Sequence, residues 1–203
     1  FIFWNNRNAR RKQSGSLIFW YKEFLDKIRK KNKDAKATLV MHSDPRDPNG
    51  QDLYRIIEEL NLSRTDILLS VDKLQPDDLS LLYSSADVTI GISDAEGFGL
   101  STFESMACGT PIIVTMTGGS QEVPFIYEDR LNGTDVVSAL EKMYEYGYEK
   151  RSELGEAGRQ HVLKNYNFEN FAKQWEELML NTHEKYGSWE TRKNYKRWEL
   201  KAV

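Results

Sequence analysis

Two kinds of apolar pattern alternate along the chain. Short runs with β-branched or aromatic bias fall at residues 1–4, 37–41, 66–71, 88–92, 111–115 and 123–127, each of strand length. Between them, apolar residues repeat at helical spacing. Residues 17–32 carry Leu17, Trp20, Tyr21, Phe24, Leu25 and Ile28 on one stripe, and residues 52–60 carry Leu53, Ile56, Ile57 and Leu60. Pro76-Asp77-Asp78 opens a helix predicted to bury Leu79, Leu81, Leu82 and Tyr83. A helix over 100–107 is stopped by Gly109 and Pro111, and another over 135–146 is capped near Thr134. A helix over 149–165 tolerates Gly155 and Gly158, breaks at Tyr166-Asn167-Phe168-Glu169, and is followed by one over 171–186. Strand–helix alternation of this kind predicts an α/β fold: a Rossmann-like parallel sheet with helices on both faces.

One stretch concentrates the chemistry. After the run at 88–92 come Ser93-Asp94-Ala95-Glu96, then Gly97-Phe98-Gly99, then the helix over 100–107 and the run at 111–115. This is a β-α-β unit, which places the turn at the carboxyl end of the sheet, where open α/β sheets bind ligands. Gly97 and Gly99 lack a Cβ, so a ligand can approach the amides of Phe98 and Leu100. Glu96 precedes the glycines, and Glu104 shares a helix face with Leu100. Amides facing a phosphate, with a carboxylate on each side to accept from hydroxyls, suit a hydroxyl-rich anion.

A cationic cluster changes that picture. Arg7, Arg10, Arg11 and Lys12 fall between the first strand and the first helix. Such runs are commonly solvated, but this position also suits neutralisation of a diphosphate. The chain as a whole is net acidic, at −3, which argues against a nucleic-acid partner. Its single cysteine, Cys108, permits no internal disulfide and points to a reducing, cytoplasmic setting. No apolar run approaches the roughly 20 residues needed to cross a bilayer. His42, Asp44 and Asp47 make a poor metal set beside two prolines and read better as a rim loop. His161 and His183 suit packing or solvent. Residues 188–203 interleave Arg192, Lys193, Lys196, Arg197 and Lys201 with Trp189, Tyr195 and Trp198. That tail fits either peripheral contact with the inner membrane surface or packing against another part of the protein. The chain opens inside a strand, at Phe1, as expected of a piece whose amino-terminal half is missing.

The run E-G-F-G-L-S-T-F-E followed by S-M-A-C-G-T-P-I-I-V resembles the E-x7-E motif of retaining nucleotide-sugar glycosyltransferases of the GT-B fold, the glycosyl transferases group 1. The likeness extends upstream to Ser93 and downstream to Gly118-Gly119-x-x-Glu122. It implies that residues 1–187 are the carboxyl-terminal, donor-binding half of such an enzyme, with 188–203 as its tail. Arg7 and Lys12 reproduce the family's Arg-to-Lys spacing on the diphosphate, with Asn6 and Gln13 where glycines are expected. By this resemblance Arg7, Lys12 and Glu96 are catalytic. Ser93, Gly97, Phe98, Gly99, Leu100, Glu104, Gly118 and Gly119 bind the donor, and Asp72-Lys73-Leu74 lie along its base. The implied partners are a nucleoside-diphosphate sugar, a glycan, lipid-linked or protein acceptor, and the amino-terminal half; no cofactor or metal is implied. Rival readings are a glycosidase, a dinucleotide oxidoreductase, a non-catalytic nucleotide-sugar module, and a sugar-nucleotide epimerase of the same fold. The oxidoreductase would need G-x-G-x-x-G after the first strand, where this chain has its cations.

Overall fold

The structure, a computed structural model, describes residues 1–115 and 131–193. Strands β1 (Ile2–Asn5), β2 (Leu39–His42), β3 (Ile67–Ser70), β4 (Val88–Gly91) and β5 (Ile112–Val114) form a five-stranded sheet in the order β3-β2-β1-β4-β5. All four pairings are parallel, with Ile2 opposite both Leu39 and Val88. The chain steps outward from β1 to β3, then returns past β1 to place β4 on its other side. The β1–β4 boundary is therefore the point where the winding reverses, and open α/β sheets bind ligands at such a point, beyond the carboxyl ends of the strands.

Helices cover both faces. Along the described chain the helices are α1 (Ser14–Lys31), α2 (Leu53–Glu59), α3 (Pro76–Ser85), α4 (Leu100–Ala107), α5 (Gly133–Glu145), α6 (Tyr148–Asn165) and, in a separate compact unit, α7 (Phe168–Tyr186). The two-residue period of β1 explains the layering. Ile2 and Trp4 point to one face, where they meet Leu17, Tyr21, Phe24 and Leu25 of α1, Leu53 of α2, and Val136 and Leu140 of α5. Phe3 points to the other, packing with Tyr83 and Ala86, and with the half-buried Leu79 and Leu82. Burial of each such side chain stabilises the fold by about 1.5–3 kcal/mol, before the entropy of ordering it is set against that gain.

The predicted elements differ from the observed ones in instructive places. Leu81, predicted inside, is exposed. Leu79, Leu82, Tyr83 and Ala86 form a stripe at i, i+3, i+4 and i+7, which leaves Leu81 on the opposite side of the helix. α1 begins at Ser14, a turn earlier than its apolar stripe, because Ser14 and Gly15 bond to the neighbouring loop. The cap of α5 is Asn132, whose side chain accepts from the Thr134 amide. α7 begins at Phe168, capped by Asn167, so the break is shorter than predicted. α6 runs unbroken through Gly155 because it passes close to the α4–β5 turn. A Cβ there would lie 1.9 Å from the Gly109 carbonyl oxygen. The predicted strand at 123–127, together with Gly118, Gly119, Glu122 and tail residues 194–203, lies outside the described residues.

Two compact units are distinguished, Phe1–Val162 and Leu163–Val203. The first holds the whole sheet. In the second, Phe168, Phe171 and Trp175 stack in sequence along α7, with ring centroids 6.2 Å apart at each step. No helix among the described residues is long and apolar enough to cross a membrane.

Candidate functional site

The loops after β1 and β4 leave adjacent strands, and side chains and backbone bind them to each other. The Arg11 carbonyl accepts from the Asp94 amide at 2.9 Å and from the Ser93 hydroxyl at 3.0 Å. Lys12, on a short 3-10 turn (Arg10–Lys12), is buried and donates its ammonium to Glu96 Oε1. Gln13 Nε2 donates to both oxygens of Asp94 at 2.8 Å, and its Oε1 accepts from Ser16. Gln13 holds a left-handed backbone, φ 54°, at the position where a glycine is expected. A non-glycine residue there costs roughly 1–2 kcal/mol. The two bonds from its amide to Asp94 offset that cost and fasten the loops together.

Behind this clamp lies a buried amide network. Asn8, fully buried, accepts from the Ser14 hydroxyl at 2.6 Å and donates to the Gln51 carbonyl at 2.7 Å. Arg7 turns the other way. Its guanidinium grips Asp47 of the β2–α2 loop through Nε–Oδ2 at 2.6 Å and Nη2–Oδ1 at 3.2 Å. That bond, followed by the Asn49 amide, lowers the Asp47 carboxyl to about 2.

The glycine turn itself is open. Among the described residues, nothing lies within 4 Å of where a Cβ on Gly97 would sit, while Gly99, at φ +80°, occupies a conformation that favours glycine. Gly99 is the N-cap of α4, so the amides of the first turn point out of the helix end. Phe98 and Leu100 are exposed on either side. Glu104, half-buried on α4, accepts from the Tyr83 hydroxyl at 2.8 Å, and that hydroxyl accepts from Asn5 Nδ2 at 2.9 Å.

The structure thus brings Lys12, Ser93 and Glu96 into one bonded cluster, with the Gly97–Leu100 turn and Glu104 on the same β4–α4 connection. It ties Arg7 to the β2–α2 loop instead. Ser93 Oγ lies 3.0 Å from the carbonyls of both Arg11 and Ala95, so the hydroxyl proton serves the junction between the loops. Among the described residues no three His, Cys, Asp or Glu side chains are grouped to hold a metal ion.

The glycosyl transferases group 1 family matches residues 21–161, which include the whole β4–α4 turn. The chain belongs to that family. It is 27% identical over 140 residues to D-inositol 3-phosphate glycosyltransferase of Paenarthrobacter aurescens, covering 66% of this chain and 34% of that protein. The chain therefore spans about a third of the length of that relative. Sucrose-phosphate synthase from Thermosynechococcus elongatus aligns over 90% of this chain and 45% of its own, at TM-score 0.67 and 27% identity. The carboxyl-terminal domain of a glycosyl transferase group 1 family protein from Francisella tularensis aligns over 83% of this chain and 87% of its own, at TM-score 0.59 and 19% identity.

Within this group 1 chain, sequence reasoning missed four of the groups that tie these loops and Glu104 in place. Asn5, Tyr83, Asp94 and the Asn8–Gln51 pair each act on residues far along the chain. Tyr83 reads from its spacing as core, which its ring is. For Gln13 a signal existed: a residue other than glycine at a position where the family pattern expects one.

Proposed function

We propose that this chain is the donor-binding half of a glycosyltransferase that moves a sugar from a nucleoside-diphosphate sugar to an acceptor, with retention of anomeric configuration. The observation that carries this reading is the clamp across the β1–β4 boundary, which seats a buried lysine beside an acidic, glycine-lined helix start. An entering diphosphate meets Lys12 and the amides of residues 98–100, and both stabilise the charge that develops on the leaving group. Glu104 accepts from the ribose hydroxyls. Glu96, in reach of Lys12, accepts from hydroxyls of the transferred sugar. Arg7 reaches the diphosphate by exchanging Asp47 for it. Gly118 and Gly119 complete the donor site, and the phosphate charge is met by the protein's own cations without a metal ion. The alignment with an isolated carboxyl-terminal domain supports assigning this chain to that half. The acceptor is held by the amino-terminal half, and transfer requires both, since donor and acceptor must be positioned together.

Calorimetric titration of the intact protein with UDP-, GDP- and ADP-sugars, with and without a chelator, tests the reading. At least one nucleotide sugar binds, and the chelator does not change its affinity. Binding of NADH with none of the sugar nucleotides bound would overturn it.

A further inference from the structure

A chain of three groups from three elements ends on Glu104. Asn5 closes β1, the central strand; Tyr83 sits in the last turn of α3; Glu104 lies on α4. Asn5 Nδ2 donates to the Tyr83 oxygen at 2.9 Å, so the Tyr83 proton is directed to Glu104 Oε2 at 2.8 Å. Burial pushes the Tyr83 hydroxyl well above the ordinary tyrosine range; the Asn5 bond opposes that rise and the bond to Glu104 adds to it. It therefore stays a donor at every working pH. Among the described residues, Tyr83 is the only group hydrogen-bonded to the Glu104 carboxylate.

The hydroxyl is separable from the packing role of the ring. The ring stands edge-on to Phe3, with centroids 5.0 Å apart, and the Tyr83 carbonyl accepts from Thr110 at 2.6 Å. Both contacts survive loss of the hydroxyl.

We propose that Tyr83 is a positioning residue that fixes one oxygen of Glu104 so that the carboxylate faces a pair of ribose hydroxyls, with Asn5 setting the direction of its proton. This rests on the assignment of Glu104 to the ribose made above. A charge-assisted bond to a fixed carboxylate discriminates strongly against a ligand lacking the hydroxyl; a carboxylate free to rotate discriminates weakly. Tyr83 thus governs how well the site distinguishes ribose from its deoxy forms, more than how tightly it binds phosphate.

The test uses the intact protein and whichever of UDP, GDP and ADP binds tightest, compared with its 2′-deoxy and 3′-deoxy counterparts by calorimetry. The wild type prefers the ribonucleotide roughly 10-fold or more. Tyr83→Phe brings that ratio to within about threefold while leaving affinity for the deoxy forms within about twofold. A general loss of structure would instead weaken all three ligands together. A folded Tyr83→Phe protein that keeps the wild-type ratio overturns the inference; should that variant not fold, the same reading is made on Asn5→Ala, which leaves the ring in place. A wild type with no ribose preference overturns the assignment of Glu104 itself, and the inference with it.

Discussion

The loop after β1 and the turn after β4 meet at the carboxyl ends of adjacent strands and are built on opposite principles. In the first, most polar side chains are engaged: Arg7 on Asp47, Asn8 on Ser14 and Gln51, Lys12 on Glu96, Gln13 on Asp94. Its backbone even holds a left-handed residue that is not glycine. In the second, no described residue comes within 4 Å of a Cβ placed on Gly97, and Phe98 and Leu100 stand exposed. One side has its polar groups bonded in place before any ligand arrives; the other exposes a glycine backbone that can meet one. Positioning charge in advance lowers the cost of reorganisation on binding, and an open glycine turn lets amides come within hydrogen-bonding distance of a phosphate.

The sharpest break in that comparison comes from Lys12. If the rigid side exists to present its ammonium, Lys12→Ala weakens nucleoside-diphosphate binding by roughly 10- to 100-fold, the usual worth of a hydrogen bond to a charged group. Calorimetry on the folded variant reads this directly. Unchanged affinity would make the β1 loop a structural brace and leave the phosphate to the helix start alone.

The two glycines of the open side separate next. Gly99→Ala forces a Cβ into φ +80° and destabilises the fold by roughly 1–2 kcal/mol in thermal or urea unfolding. Gly97→Ala meets no atom of the described residues within 4 Å and leaves stability unchanged, yet it narrows the approach to the amides and lowers nucleotide affinity. A Gly97→Ala protein that binds as well as the wild type would show that the ligand does not pass there.

The fold was legible because its signals are local. Each strand and helix carries its own period, and the order of elements fixes an α/β sheet. The glycine turn and its two glutamates were legible for the same reason: they lie within nine consecutive residues. What the pattern could not supply was contact between distant positions. Asn5 and Tyr83 are 78 residues apart, and Lys12 and Glu96 are 84 apart. A tyrosine on an apolar stripe looks the same whether its hydroxyl meets water or a carboxylate. Leu81 failed for a different reason. In a helix rich in leucine, composition suggests burial all round, and only the packing of Leu79, Leu82 and Tyr83 against Phe3 shows which side is wet.

The smallest expected effect lies at the rim, in the Arg7–Asp47 pair, and it shows whether the rigid loop extends that far. Asp47 has its carboxyl lowered from 3.8 to about 2, first by the Arg7 bond and then by the Asn49 amide. A carboxyl depressed in the folded state contributes stability above its unfolded value, and that contribution fades as pH falls through the folded one. The wild type is therefore more stable than Asp47→Asn at neutral pH. The gap between them stays constant down to about pH 4 and closes between about pH 4 and pH 2. Urea midpoints of the two proteins across that range read the gap, which is small because the guanidinium is exposed. A gap that is absent at neutral pH would mean that Arg7 is not held by Asp47 in solution. The guanidinium would then belong with the open glycine turn, able to meet a diphosphate without first giving up a partner.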